Sequence, residues 1–249
     1  MTVVFLGAAV ALLLTMNTMF VIGTRAGDNS LIDIAYGPAF VAACIGACIG
    51  AWLAGGMEMH FRPLLMFCLL CLWAVRLAVH IGLRHRGRGE DFRYRNFREQ
   101  WGDTFVWRSF LQIYMLQGLV VFLVAMPILL AVAGPGAGLI WTDVLGAALF
   151  AVGFFFEAVG DWQLSRFKKT PAGKGRIMTT GLWRYTRHPN YFGEAVLWWG
   201  FFLLGLGAGH GWYGLVSPVL IGFLLLKVSG IPMLEDKYKG QPEFEAYKS

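Results

Sequence analysis

Residues 3–24, VVFLGAAVALLLTMNTMFVIGT, decide the fold. No side chain in the run is ionisable. As a helix it is long enough to cross a bilayer core of about 30 Å. Lipid offers no water to backbone N–H and C=O groups, so a continuous apolar run of this length is read as a helix that satisfies its own backbone. The N-terminus has no basic region and no small-residue cleavage site, so it is expected to be a first membrane helix and not a removed signal.

Outward from this run the pattern repeats. Seven spans are expected: Val3–Thr24, Leu31–Gly55, Pro63–Leu83, Ser109–Gly134, Leu139–Leu164, Pro189–Gly207 and Trp212–Leu234. The whole chain of 249 residues is 57% hydrophobic and only 14% charged, against about a quarter charged in soluble domains. The predicted fold class is therefore all-α, a polytopic bundle of seven transmembrane helices in one membrane domain, 1–249. Residues 1–134 are expected to supply the helices of a substrate cavity. Residues 139–249 are expected to supply the cofactor-binding helices and cytoplasmic loops.

The formal net charge of +6 would suggest nucleic acid in a soluble protein. Here Lys and Arg cluster in two connections, and no nucleic-acid partner is expected. Arg84, Arg86, Arg88, Arg93, Arg95, Arg98 and Arg108 follow the third span; Arg166, Lys168, Lys169, Lys174, Arg176, Arg184 and Arg187 follow the fifth. The turns at 135–138 and 209–211 carry no Lys or Arg. The positive-inside rule places the basic loops and the C-terminus in the cytoplasm and the N-terminus outside. The second-to-third connection, with Glu58, His60 and Arg62, then lies outside. Residues 88–107 interleave arginines with Phe92, Tyr94, Phe97, Trp101, Phe105 and Trp107, a mix suited to a short helix in the headgroup region.

Cys44, Cys48, Cys68 and Cys71 fall inside apolar runs without further ligands at metal spacing, so they read as packing residues and no metal is expected. Charge within a span is unfavourable and therefore a site hypothesis by default. Glu157 and Asp161 share a helical face on the fifth span, as ion-pairing groups or as a hydrogen-bonding wall for a ligand. Asp33 and Tyr36 share a face on the second span, just before Pro38; Arg76 and His80 share one on the third. An acid, a phenol, a guanidinium and an imidazole facing a bundle interior suit carbonyl polarisation or proton transfer, and equally a satisfied polar network.

The stretch 181–194, GLWRYTRHPNYFGE, packs Arg184, Arg187, His188, Asn190 and Glu194 into fourteen residues at the mouth of the sixth span. It resembles the signature of bacterial membrane proteins in the steroid 5-alpha-reductase C-terminal (DUF1295-like) family. Residues 85–88, His-Arg-Gly-Arg, stand where steroid reductases carry Asn-Arg-Gly-Arg, and Asp161 with Leu164, Arg166 and Lys168 is similar to their helix end before a basic loop. The resemblance implies a seven-helix fold in the bacterial inner membrane. It also implies NADPH bound from the cytoplasmic side and reduction of an enone in a lipophilic, steroid-like substrate. It implies a cofactor site drawn from Arg86, Arg88, Glu157, Asp161, Arg166, Lys168, Tyr185, Arg187, His188, Asn190, Tyr191 and Glu194. Phosphates need several cations. The chain departs from the steroid reductases in the second span, where a Gln-Glu pair before the Pro is missing, and in the third, where Trp73 replaces a Tyr. Asp33, Tyr36 and Arg76 are the expected substitutes as catalytic residues. Membrane lipid and a lipophilic substrate are the expected partners, with no obligate protein partner.

An Arg-His-Pro-x-Tyr-x-Gly run also resembles membrane methyltransferases of the isoprenylcysteine and phospholipid type, which use S-adenosylmethionine. Glu235-Asp236 followed by Tyr238 and Tyr247 is similar to their tail. The many cations favour the phosphate-bearing cofactor. A non-catalytic scaffold keeps the motif only as a helix cap and interface anchor, and leaves Asp161, Asn190 and Glu194 without a role.

Overall fold

In the computed structural model the described residues are all but 56–59, 136–137, 174, 229 and 249, and all their side chains but those of Ala172 and Lys237. Glu58 and Lys174, two charges used above, lie outside the described residues. Among the described residues the chain is helical and contains no strand. Among the described residues six helices are long and apolar enough to cross a membrane: Thr2–Ala26, Leu31–Leu53, Phe61–His85, Phe92–Val124, Trp141–Lys169 and Gly211–Asp236. Large apolar side chains point outward along them; Leu14 is 66% exposed, and Trp52, Leu53, Leu83 and Val144 are similar. So much outward apolar surface fits lipid and not water. This is an integral membrane protein. The expected sixth span is a helix of 17 residues, Pro189–Gly205, at the short end of the crossing range.

The chain divides into two compact units, Met1–Leu139 with Gly205–Gly214, and Ile140–Leu204 with Leu215–Ser249. In the first, α1 (Thr2–Ala26) and α2 (Leu31–Leu53) form a tight hairpin. A Cβ on Gly46 would stand 2.4 Å from the Gly7 carbonyl oxygen, so only glycine permits this approach. The third helix, α3 (Phe61–His85), meets α2 where Gly37 lies against Ala74. Trp73 is fully buried there and packs edge-on against Tyr36 and Phe40.

The next helical run starts earlier than the expected Ser109. α4 (Phe92–Trp101) is the short aromatic helix, ended by Gly102 at φ 46. α5 (Phe105–Ser109), a π turn over Phe110–Met115, α6 (Leu116–Val124) and α7 (Met126–Ala133) follow. A break at Ala125 precedes Pro127, which lacks a donor for the previous turn. Arg62 also departs from expectation. It is not a loop charge: it sits in the first turn of α3, 4% exposed, and donates to the carbonyls of Gly207 (3.2 Å) and Gly138 (2.9 Å).

The second unit is built on α8 (Trp141–Lys169) and α9 (Pro189–Gly205). Gly146, Gly153 and Gly160 recur every seven residues on α8 and meet Gly200, Gly193 and Pro189 in reverse order. The helices are therefore antiparallel and in close backbone contact, with Phe150, Leu197 and Phe201 buried beside the seam. α10 (Val216–Phe223), α11 (Ile231–Tyr238) and α12 (Pro242–Lys248) complete the unit.

Candidate functional site

The glycine seam positions the polar groups of the second unit. Because Gly193 rides against the Glu157 backbone and Pro189 against Gly160, Glu157, Asp161 and Asn190 collect at one end of the α8–α9 pair. Glu157 is 3% exposed and Asp161 8%. Asn190 donates through Nδ2 to Asp161 Oδ1 at 3.1 Å. Its own carbonyl oxygen, Oδ1, is buried without a hydrogen-bond partner among the described residues. A buried unpaired acceptor carries a penalty of about 1–3 kcal/mol, which a ligand donor would relieve.

The stretch 181–194 wraps over this end. Gly181, at φ 65, starts a 3-10 turn and fits against the Gln163 side chain, which accepts from Leu182 N at 3.0 Å. The Trp183 indole donates to the Gly160 carbonyl at 3.1 Å. Pro189 opens α9, where a missing N–H is harmless. On the other side the C-terminal helices tie down the same stretch. The Tyr247 hydroxyl donates to the Trp183 carbonyl and to that of Thr186 at 3.3 Å. Glu235 faces two cations, Arg187 Nε at 3.3 Å and Lys248 Nζ at 3.8 Å, and the His188 imidazole, Nε2 at 3.4 Å. His188 and Tyr191 stack at 5.5 Å. Arg166 lies over the Trp162 ring and, like Lys168 and Arg184, is exposed. Tyr185 is 81% exposed and stands apart from the set. Glu194 is half-buried on α9, one turn beyond Asn190.

Burial pulls the His188 pKa below its usual value of about 6.5, and Arg187 adds to this, while the bond to Glu235 opposes it. A histidine whose folded-state pKa is depressed binds its proton more readily when unfolded. Its contribution is complete above about pH 6.5 and is lost as pH falls through the folded value. His188→Gln is therefore expected to flatten the acid limb of the melting-temperature profile below pH 6.5 and to leave it unchanged above pH 7.5. An acid limb identical to wild type would remove His188 from the account.

In the first unit, Asp33 accepts from Arg93 Nη2 at 2.7 Å and from the Tyr94 hydroxyl at 2.6 Å. Arg93 also pairs with Asp91 at 3.0 Å. Burial pushes the Asp91 carboxyl up, but the N–H, charge and guanidinium of Arg93 more than offset this and hold it below the usual range. Tyr36 lies in the aromatic group with Phe40 and Trp73. Arg76 and His80 are half-buried on α3, one turn apart. Arg86 and Arg88 are exposed in the loop after α3. An apolar cavity of about 920 Å³ opens among α1, α2, α3 and α7, lined by Ile45, Cys48, Trp52, Phe67 and Val132. It lies at the end of α2 away from Asp33 and Tyr36, and neither lines it.

Sequence reasoning did not find Arg93 and Tyr94 as partners of Asp33, nor Gln163 and Trp183 as the clasp on α8. In the sequence Glu235 stands out only as part of a tail signature. The seven-residue glycine spacing on α8 was the available signal for the seam.

The chain is similar to the Schizosaccharomyces pombe protein "Uncharacterized protein C594.04c", at 29% identity over 63% of this chain and 54% of that one. It is also similar to "Steroid 5-alpha-reductase DET2" of Arabidopsis thaliana, at 32% identity over 36% of this chain and 31% of that protein. The chain thus spans about half the length of the first relative and about a third of the second. No solved structure matches it. Residues 19–249 match the family described as "Protein of unknown function (DUF1295)", and to that family the chain belongs.

Proposed function

We propose that this protein is an NADPH-dependent membrane reductase acting on a carbon–carbon double bond conjugated to a ketone in a lipophilic, steroid-like substrate. The observation that carries this is Asn190: its amide is fixed on Asp161, and its buried carbonyl oxygen awaits a donor. A nicotinamide carboxamide carries such a donor. Arg166, Lys168 and Arg184 are suited to the phosphates, as are Arg86 and Arg88 in the first unit. Glu157, Asp161 and Glu194 are suited to ribose hydroxyls, and the stacked His188–Tyr191 pair offers a flat aromatic surface. Arg187 steadies the site through Glu235, and Tyr185 has the exposed position of an outer contact. When bound, the cofactor supplies a hydride.

The substrate ketone gains negative charge as its double bond is reduced, so it needs donors. Tyr36 and Arg76 are donors. Asp33 is a carboxylate already occupied by Arg93 and Tyr94, and we assign it the positioning of those two residues. We read α9 as a seventh crossing of the bacterial inner membrane, with the N-terminus outside and the cofactor residues and C-terminus in the cytoplasm. A C-terminal alkaline phosphatase fusion should then be inactive; an active one would reverse the orientation.

One observation favours a second reading. The groups around Asn190 are acidic, Glu157 and Asp161, and an acidic pocket suits the ammonium group of S-adenosylmethionine. The exposed cations favour phosphate. Thermal titration separates the two, because a ligand that binds only the folded state raises the melting temperature. NADPH is expected to stabilise the detergent-purified protein and S-adenosylmethionine to have no effect. Stabilisation by S-adenosylmethionine alone would establish the methyltransferase reading.

A further inference from the structure

The loop 85–91, HRGRGED, carries two exposed arginines between two anchored ends. Gly87 (φ 76) and Gly89 (φ 68) flank Arg88 in the left-handed region, where glycine is favoured, and Arg88 N closes a turn onto the His85 carbonyl at 3.0 Å. Before the arginines, His85 Nε2 pairs with Asp28 Oδ2 at 2.9 Å. After them, Glu90 Oε1 accepts from Asn29 N at 2.9 Å, and Asp91 N donates to Ser30 Oγ at 3.2 Å.

Three consecutive residues of the α1–α2 turn thus grip both flanks of the loop. The turn is itself immobilised. Asn29 is fully buried and accepts from the Tyr114 hydroxyl at 2.7 Å; Asp28 accepts from Ser30 N at 3.0 Å and from the Ser30 hydroxyl at 2.5 Å. Arg98 closes the far side on Glu90 at 2.9 Å.

The charges are sorted in a way that bracing explains. Glu90 and Asp91 follow Arg88 closely in sequence and Asp28 pairs with His85, yet each carboxylate is committed to a group other than Arg86 or Arg88. Among the described residues neither the Arg86 nor the Arg88 guanidinium has a hydrogen-bond or ion-pair partner. Two guanidiniums on a fixed turn, kept clear of nearby acids, match a phosphate. Holding them still reduces the ordering entropy lost on binding.

We propose that Asp28, Asn29 and Glu90 are positioning residues for a phosphate-binding loop formed by Arg86 and Arg88, the ligand being the phosphate of a nucleotide cofactor. This rests on the nucleotide reading above. It makes a prediction opposite in sign to simple electrostatics. Removing a carboxylate makes the loop more positive and should tighten anion binding if charge alone matters. If the carboxylate braces the loop, its removal weakens binding.

The test is trypsin cleavage after Arg86 and Arg88 in the full-length, detergent-purified protein, with inorganic pyrophosphate and NADPH as protecting probes. Both are expected to protect wild type. Asp28→Asn and Glu90→Gln are expected to raise the protecting concentration about tenfold, the effect of losing roughly one hydrogen bond's worth of order. Glu99→Gln removes an exposed charge outside the brace and should leave protection equal or slightly tighter. His85→Gln keeps a donor toward Asp28 and should stay near wild type, which a loss of fold would not allow.

Equal or tighter protection in both Asp28→Asn and Glu90→Gln overturns the proposal, as does wild type that neither probe protects. Protection by pyrophosphate without NADPH upholds the loop and removes the reductase reading. Should Asp28→Asn fail to fold, Glu90→Gln and His85→Gln still decide.

Discussion

Gly193→Val is expected to leave no folded second unit. A Cβ at this position would stand 2.4 Å from Glu157 N and 2.5 Å from the Gly153 carbonyl oxygen. Both are backbone atoms, so no rotamer change relieves the overlap. The α8–α9 seam must open, and the packing of Gly146 on Gly200 and of Gly160 on Pro189 is lost with it. The penalty should reach or exceed the upper end of the overpacking range, about 3 kcal/mol. In a marginally stable domain that is enough to remove most folded protein. The measurement is the yield of monodisperse protein in detergent together with its melting temperature. Gly222→Ala is the control: nothing lies within 4 Å of its added Cβ, so melting should be unchanged or rise slightly. A Gly193→Val protein that melts like wild type would contradict the seam.

Asn190→Leu should separate binding from stability. The variant deletes a donor to Asp161, which is destabilising by about 1 kcal/mol. It also deletes a buried acceptor that has no partner, and that relieves a penalty of similar size. The ligand-free melting temperature should therefore change little. NADPH loses an oriented acceptor, and its Kd should rise roughly 10- to 100-fold, the range for leaving a ligand donor unpaired. Titrating both proteins with NADPH and following the melting temperature checks this. Unchanged NADPH affinity would remove Asn190 from the site. Loss of S-adenosylmethionine binding in its place would move the residue into the second reading.

Much of this architecture was legible because lipid simplifies the code. Long runs without charge, such as 3–24, have one stable backbone solution, and six long helices follow. Asp161 and Asn190, 29 residues apart, were grouped by motif, and they hydrogen-bond. The polar contacts of the first unit were not legible, because their partners are distant in sequence: Asn29 and Glu90 are 61 residues apart, Asn29 and Tyr114 are 85. No periodicity reports such a pair. Tyr94 looked like an interface aromatic because its ring suits a headgroup region, and only the fold shows its hydroxyl on Asp33. Arg62 looked like a loop charge because Pro63 follows it. In the structure it sits in the first turn of α3, and its guanidinium donates to the carbonyls of Gly207 and Gly138. The break at Ala125 was hidden inside an apolar run whose composition does not change across it.

A label followed from the cofactor into the lipid separates hydride transfer from methyl transfer. Membranes containing the protein receive NADPH carrying deuterium at the transferable position or, in parallel, S-adenosylmethionine with a labelled methyl group, and the lipid extract is analysed by mass spectrometry. A reductase yields a lipophilic product that has gained one deuteride and one proton, formed only with active protein. A product that carries the labelled methyl group, with no deuterium gained, would contradict the reductase reading.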